Sequence, residues 1–118
     1  MIKGLEALAV ESLFAARRYG AEDAVLASLH ASFPSMGWND AFPDYLISRV
    51  AEHGRRRAAE MREVARTVED VNVQPLMAAA TASRQDDLVD AMQAAKYQYD
   101  AGKKFSWREL ADALAPAK

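Results

Sequence analysis

The sequence predicts an all-α fold, and two observations carry that prediction. Alanine is abundant while β-branched residues are few, which favours helices over strands. Apolar residues also recur every three or four positions, and no stretch settles into the period-2 alternation of a half-buried strand. The expected architecture is a multi-helix bundle, a single helical domain over residues 1–118.

The first helix is expected from Met1 to Arg18, with Met1, Ile2, Leu5, Leu8, Ala9, Leu13 and Phe14 on its apolar face. A helix normally opens on Ser, Thr, Asp or Asn. Nothing but Met1 precedes this stripe, so it reads as a helix already under way, with part of the function lying outside the chain. Arg17 and Arg18 suit the negative end of its dipole, and Gly20 ends it. A second helix carries Glu22 and Asp23 in its first turn, and Val25, Leu26, Leu29 and Phe33 on its apolar side. Pro34 to Asp40 form a loop. Pro43 suits the first turn of a third helix through Tyr45, Leu46, Ile47 and Val50.

Gly54 punctuates that helix, and a further periodic stretch runs from Arg55 to about Val71 through Met61, Val64, Ala65 and Val68. NVQP is a break, and Pro75 opens another helix with Leu76 and Met77. Ser83 and Asp86 have the spacing of a capping box and predict a separate helix through Leu88, Met92 and Tyr99, closed by Gly102. Ser106-Trp107-Arg108-Glu109 is a better box, and predicts a short terminal helix to about Leu114.

Composition narrows the function. A formal net charge of −2 argues against a phosphate-binding surface over the whole domain. Without cysteine there is no disulfide framework, thiolate metal site or thiol nucleophile. No apolar run approaches the roughly 20 residues that span a bilayer, and the amino terminus lacks a secretory pattern. A cytoplasmic domain binding neither membrane nor nucleic acid is expected. His30 and His53 lack metal-ligand spacing, and there is no nucleophile elbow, P-loop or dinucleotide glycine pattern. The aromatic residues, Trp38 and Trp107 among them, read as core or interface anchors.

Two charged groups stand out. Lys3 and Glu6 lie within a turn of each other and can form a solvent-exposed ion pair. On a continuous helix His53, Arg56, Arg57, Glu60 and Glu63 fall along one strip, and Arg57 prolongs the apolar stripe of Met61 and Val64. An arginine at such an edge can grip a carboxylate or phosphate bidentately. The same strip can equally be a solvated one neutralised by Glu52, Glu60 and Glu63. One histidine among charged neighbours makes no complete active site, so an independent small enzyme built on His53, Arg57 and Glu60 lacks its nucleophile or metal.

The ordered run of MIKGLEAL, a small-residue-rich helix to AARRYG, the PSMGWND loop and HGRRRAAEMREVARTVEDVNVQPLMAAA resembles the C-terminal helical domain of the β-hydroxyacid dehydrogenase family. The nearest branch is the 6-phosphogluconate dehydrogenase-like proteins. The likeness is strongest over residues 1–90, with 91–118 as a C-terminal helical extension. It implies a Rossmann domain that binds NAD or NADP outside this chain, and a helical domain that shapes the site for a small anionic hydroxyacid and forms a homodimer. On this resemblance Met1 falls about six residues after the family's catalytic lysine, and Lys3 about two helical turns beyond it on the same face. The chain then carries no catalytic residue and binds no cofactor or metal itself. Its implied substrate-cleft residues are Lys3, His53, Arg56, Arg57 and Glu60. Many family members carry a Lys-Asp pair in the helix that closes over the substrate, and Glu60-Met61 stands there instead. The alternative is a stand-alone helical protein-interaction module, suggested by the apolar first helix and the aromatic-rich C-terminus.

Overall fold

The computed structural model describes residues 1–116 as five helices: α1 (Ile2–Tyr19), α2 (Glu22–Ser32), α3 (Phe42–Asp70), α4 (Leu76–Ala94) and α5 (Trp107–Ala113). The all-α expectation is met. Of the span 1–118, residues 117 and 118 lie outside the described residues.

Three helices stop in one way. Gly20 (φ 72°), Asn72 (φ 62°) and Lys96 (φ 57°) each adopt the left-handed conformation after α1, α3 and α4. The amide that follows each reaches back five residues: Ala21 to Ala16 O, Val73 to Val68 O, and Tyr97 to Met92 O. This motif satisfies carbonyls that a helix end leaves unpaired. Glycine takes the conformation freely at the first stop, while a lysine at the third is an uncommon choice.

α1, α3 and α4 pack together, and α3 with α4 forms the most extensive seam. Leu13, Leu46, Ile47, Val50, Leu88 and Met92 are buried between them. The seam is made of small residues, with Gly54, Ala58 and Ala82 all buried. Gly54 therefore does not divide α3. A Cβ there would meet Val89 Cγ2 at 2.8 Å and the Gln85 carbonyl oxygen at 3.2 Å. The glycine allows a close approach, and helical hydrogen bonding continues through it.

The Ser83–Asp86 box does not start a helix either. Thr81, Ala82, Gln85, Leu88 and Met92 form one buried stripe across it, and Asp86 accepts hydrogen bonds from Arg55 and Arg62 on α3. α4 is continuous and ends at Ala94, not Tyr99. Tyr97, Tyr99 and Phe105 then fold back against the core. Phe33, expected on the inner side of α2, caps its C-terminal end and is exposed.

α5 begins as predicted, with the Ser106 hydroxyl accepting from the Glu109 amide. It docks on α1 and α3, so residues beyond 91 complete this core. Trp107 and Leu110 are fully buried, and the Asp44 carboxylate accepts from the Trp107 amide at 2.8 Å. Arg17 joins three helices. Its Nε and Nη2 donate to Asp112 on α5 at 3.0 and 2.8 Å, and its Nη1 donates to Glu22 on α2 at 2.7 Å. These bonds, those to Asp112 first, push the guanidinium pKa further up and hold the Asp112 carboxyl below its usual value.

Gly54→Ala tests the close approach. Alanine gains about 1 kcal/mol in helix propensity, but overpacking against a backbone carbonyl that cannot swing aside costs about 1–3 kcal/mol. A lower urea midpoint is expected, and a raised one would show that the seam has slack.

Candidate functional site

Consecutive residues on a helix point about 100° apart, and the triplet Arg55-Arg56-Arg57 sends its three guanidinium groups in three directions. Arg55 reaches α4, donating to Asp86 at 2.7 Å and to Asp90. Arg56 stays on its own helix and donates to Glu60 Oε1 at 2.8 Å. Arg57 turns towards α1 and donates to Glu6.

The Arg57 side chain is 17% exposed and the Glu6 side chain 2%. A buried carboxylate needs such a partner, because an unpaired charge in that environment is strongly disfavoured. Three residues along α1, Lys3 Nζ donates to Glu60 Oε2 at 2.7 Å. Lys3 and Glu6 are therefore not paired with each other. Each has its partner on α3, and the pairs run side by side across the α1–α3 seam. The second differs in setting: Lys3 is 31%, Glu60 39% and Arg56 62% exposed.

Three of the five predicted cleft residues thus meet, Lys3 and Arg56 through Glu60, and Arg57 stands in the adjoining pair with Glu6. His53 does not join them. Its Nε2 lies 3.6 Å from Glu52, whose carboxylate accepts from Arg49. Glu63 pairs with Arg66 instead of extending the strip. Glu6 is the member that sequence reasoning missed, and its signal was present. Glu6, Ala9, Val10, Leu13 and Ala16 recur at helical spacing and are all buried, whereas Met1, Ile2 and Leu8 of the expected stripe are exposed. The buried face lies to one side of the one drawn through the larger hydrophobic residues.

The clefts along the α1–α4 and α2–α5 seams are lined by none of Lys3, His53, Arg56, Arg57 or Glu60. Among the described residues no group of three or more acidic, His or Cys side chains is placed to hold a metal ion. No described helix is long and apolar enough to cross a membrane. The α1–α3 junction sets three cations, Lys3, Arg56 and Arg57, against two carboxylates, Glu6 and Glu60, and so carries an excess of positive charge.

The fold and this junction define an all-helical domain organised by charge pairs between its long helices. The chain belongs to the family described as Domain of unknown function (DUF1932), whose model matches residues 16–88. His53, Arg56, Arg57 and Glu60 lie within the matched span; Lys3 and Glu6 precede it. The chain is also similar to the solved structure of a conserved hypothetical protein from Sinorhizobium meliloti 1021. The two are 35% identical with a TM-score of 0.81 over 97% of this chain, which spans 36% of that protein. No curated protein matches the sequence.

Two outcomes are expected. Arg57→Met should cost about 3–5 kcal/mol in chemical denaturation by stranding the Glu6 carboxylate, and Glu6→Leu in the same chain should recover much of that loss. The second concerns pH. The Lys3 hydrogen bond first, then the Arg56 charge, hold the Glu60 carboxyl below its usual value. A depressed folded-state pKa favours folding above the unfolded value, and that contribution is lost as pH falls through the folded one. The Glu60 side-chain carbon should titrate by NMR below the ordinary glutamate range, and move back up in Lys3→Ala.

Proposed function

We propose that this chain is the substrate-binding and dimerisation domain of an NAD(P)-dependent hydroxyacid oxidoreductase, without catalysis of its own. The observation that carries this reading is the convergence of Lys3 and Arg56 on the Glu60 carboxylate where α1 begins, one turn from the Arg57–Glu6 pair. The resemblance to the 6-phosphogluconate dehydrogenase-like branch expects a substrate anion there, and the likeness to a much longer bacterial protein agrees with a domain that works beside another. Lys3 and Arg56 supply charge and hydrogen bonds for a substrate carboxylate, and Arg57 with Glu6 fixes the wall that carries them. A nicotinamide dinucleotide is held by a strand, a glycine-rich turn and a helix. The described residues are helices and irregular segments without a strand, so they do not fit that group.

A second observation bears on assembly. Met1 and Ile2 begin α1, Leu76 and Met77 begin α4, and all four are exposed. Gly4 lies against Thr81, which brings the two helix starts together. Such a patch suits a homodimer or an adjoining domain. It equally suits the interaction-module alternative, which the mass of the native protein separates.

An antibody to this chain should detect a native protein near 30 kDa, roughly a Rossmann domain plus this one. In that protein Lys3→Ala should raise KM for a hydroxyacid by about tenfold or more, the scale of one lost charged contact. A native mass equal to this chain alone, without NAD(P)-linked turnover, would replace the reading with the interaction module.

A further inference from the structure

We infer that the Glu60 carboxylate is the resident occupant of an anion site built by Lys3 and Arg56, and that a ligand carboxylate binds by exchanging with it. The inference rests on the proposed function only in identifying that carboxylate as the substrate's.

The geometry is that of a held carboxylate. Lys3 on α1 donates to one Glu60 oxygen at 2.7 Å, and Arg56 on α3 donates to the other at 2.8 Å. Neither cation pairs with another acid among the described residues. When the Glu60 side chain swings out, two cations are therefore left facing the position its oxygens occupied. The nearby acids have partners of their own: Glu6 is engaged by Arg57 and buried, Glu52 accepts from Arg49, and Glu63 accepts from Arg66.

Exposure decides which pair exchanges. Arg57 and Glu6 are enclosed, so neither can leave without stranding the other. Lys3, Arg56 and Glu60 all reach solvent, where an ion pair can open because water replaces the partner. One junction thus contains a fixed pair that sets the helices and a labile pair that shares its acid. A tethered acid competes with any free one through its high local concentration, and a site open only part of the time weakens apparent affinity by that fraction. The site is accordingly weak towards single carboxylates until a ligand brings further contacts of its own.

Titration of the chain with sodium acetate at constant ionic strength, with chloride as control, tests this through the Lys3 Nζ and Arg56 Nε NMR signals. Glu60→Gln should bind acetate about tenfold more tightly than the unsubstituted chain, as expected when an occupant present about nine-tenths of the time is removed. Adding Lys3→Ala to Glu60→Gln should abolish that gain. Equal acetate affinity with and without Glu60→Gln would overturn the inference, as would a gain that survives Lys3→Ala. Should Glu60→Gln fail to fold, Arg56→Ala in the otherwise unsubstituted chain must weaken acetate binding, and unchanged binding overturns the inference. The two readings fail separately. Acetate binding as expected in a native protein without NAD(P)-linked turnover removes the oxidoreductase and leaves the exchange site. Turnover with an acetate affinity indifferent to Glu60→Gln removes the exchange site alone.

Discussion

The pairing of Glu6 with Arg57 is the constraint on which the rest of the α1–α3 arrangement turns. Hydrophobic burial is non-directional and tolerates a rotated helix, but a carboxylate that is almost wholly enclosed has to meet its partner. That requirement sets the rotation of α1 about its axis. With the rotation set, Ala9, Val10 and Leu13 face inward, Met1 and Leu8 face out, and Lys3 lies one turn along from Glu6, opposite Glu60. The exposed apolar start of α1 and the position of the labile ion pair have one cause.

The other end of α1 is held by different means. Arg17 forms a forked contact with Asp112 and a second contact with Glu22, so α2 and α5 are referenced to one side chain. The forked geometry matches a planar guanidinium to a carboxylate in a way lysine cannot. Beneath it, Trp107 and Leu110 supply the buried area that fastens α5. The division of labour is plain: apolar contact provides cohesion, and the arginines provide orientation.

Most of the fold was legible in the sequence because helix stops and starts are local chemistry. Gly20 and the Ser106–Glu109 box act within a turn of themselves, and both were read correctly. Gly54 and Ser83–Asp86 also look like punctuation locally, but their roles are set across the α3–α4 seam, by a carbonyl 3.2 Å from a missing Cβ and by arginines more than twenty positions away. The site divided along the same line. The strip along α3 was visible from its own spacing, whereas pairing it with Lys3 and Glu6 required knowing which face of α1 turns inward. Leu13, Phe14 and Ala9 of the expected stripe are buried, but Met1, Ile2 and Leu8 drew it to one side, away from the face that Glu6 and Val10 share.

The three-way divergence of Arg55, Arg56 and Arg57 has an evolutionary consequence. The triplet works as an angular dial, each position assigned to one neighbour by the 100° step of the helix. Substitution at one position removes that arginine's own contacts and leaves the directions of the other two unchanged. Insertion or deletion of a single residue nearby turns every later side chain by a full step, so the α4-facing, self-facing and α1-facing arginines exchange assignments together. The central part of α3 is therefore confined in length: a one-residue shift misplaces all three arginines at once, whereas a substitution misplaces one.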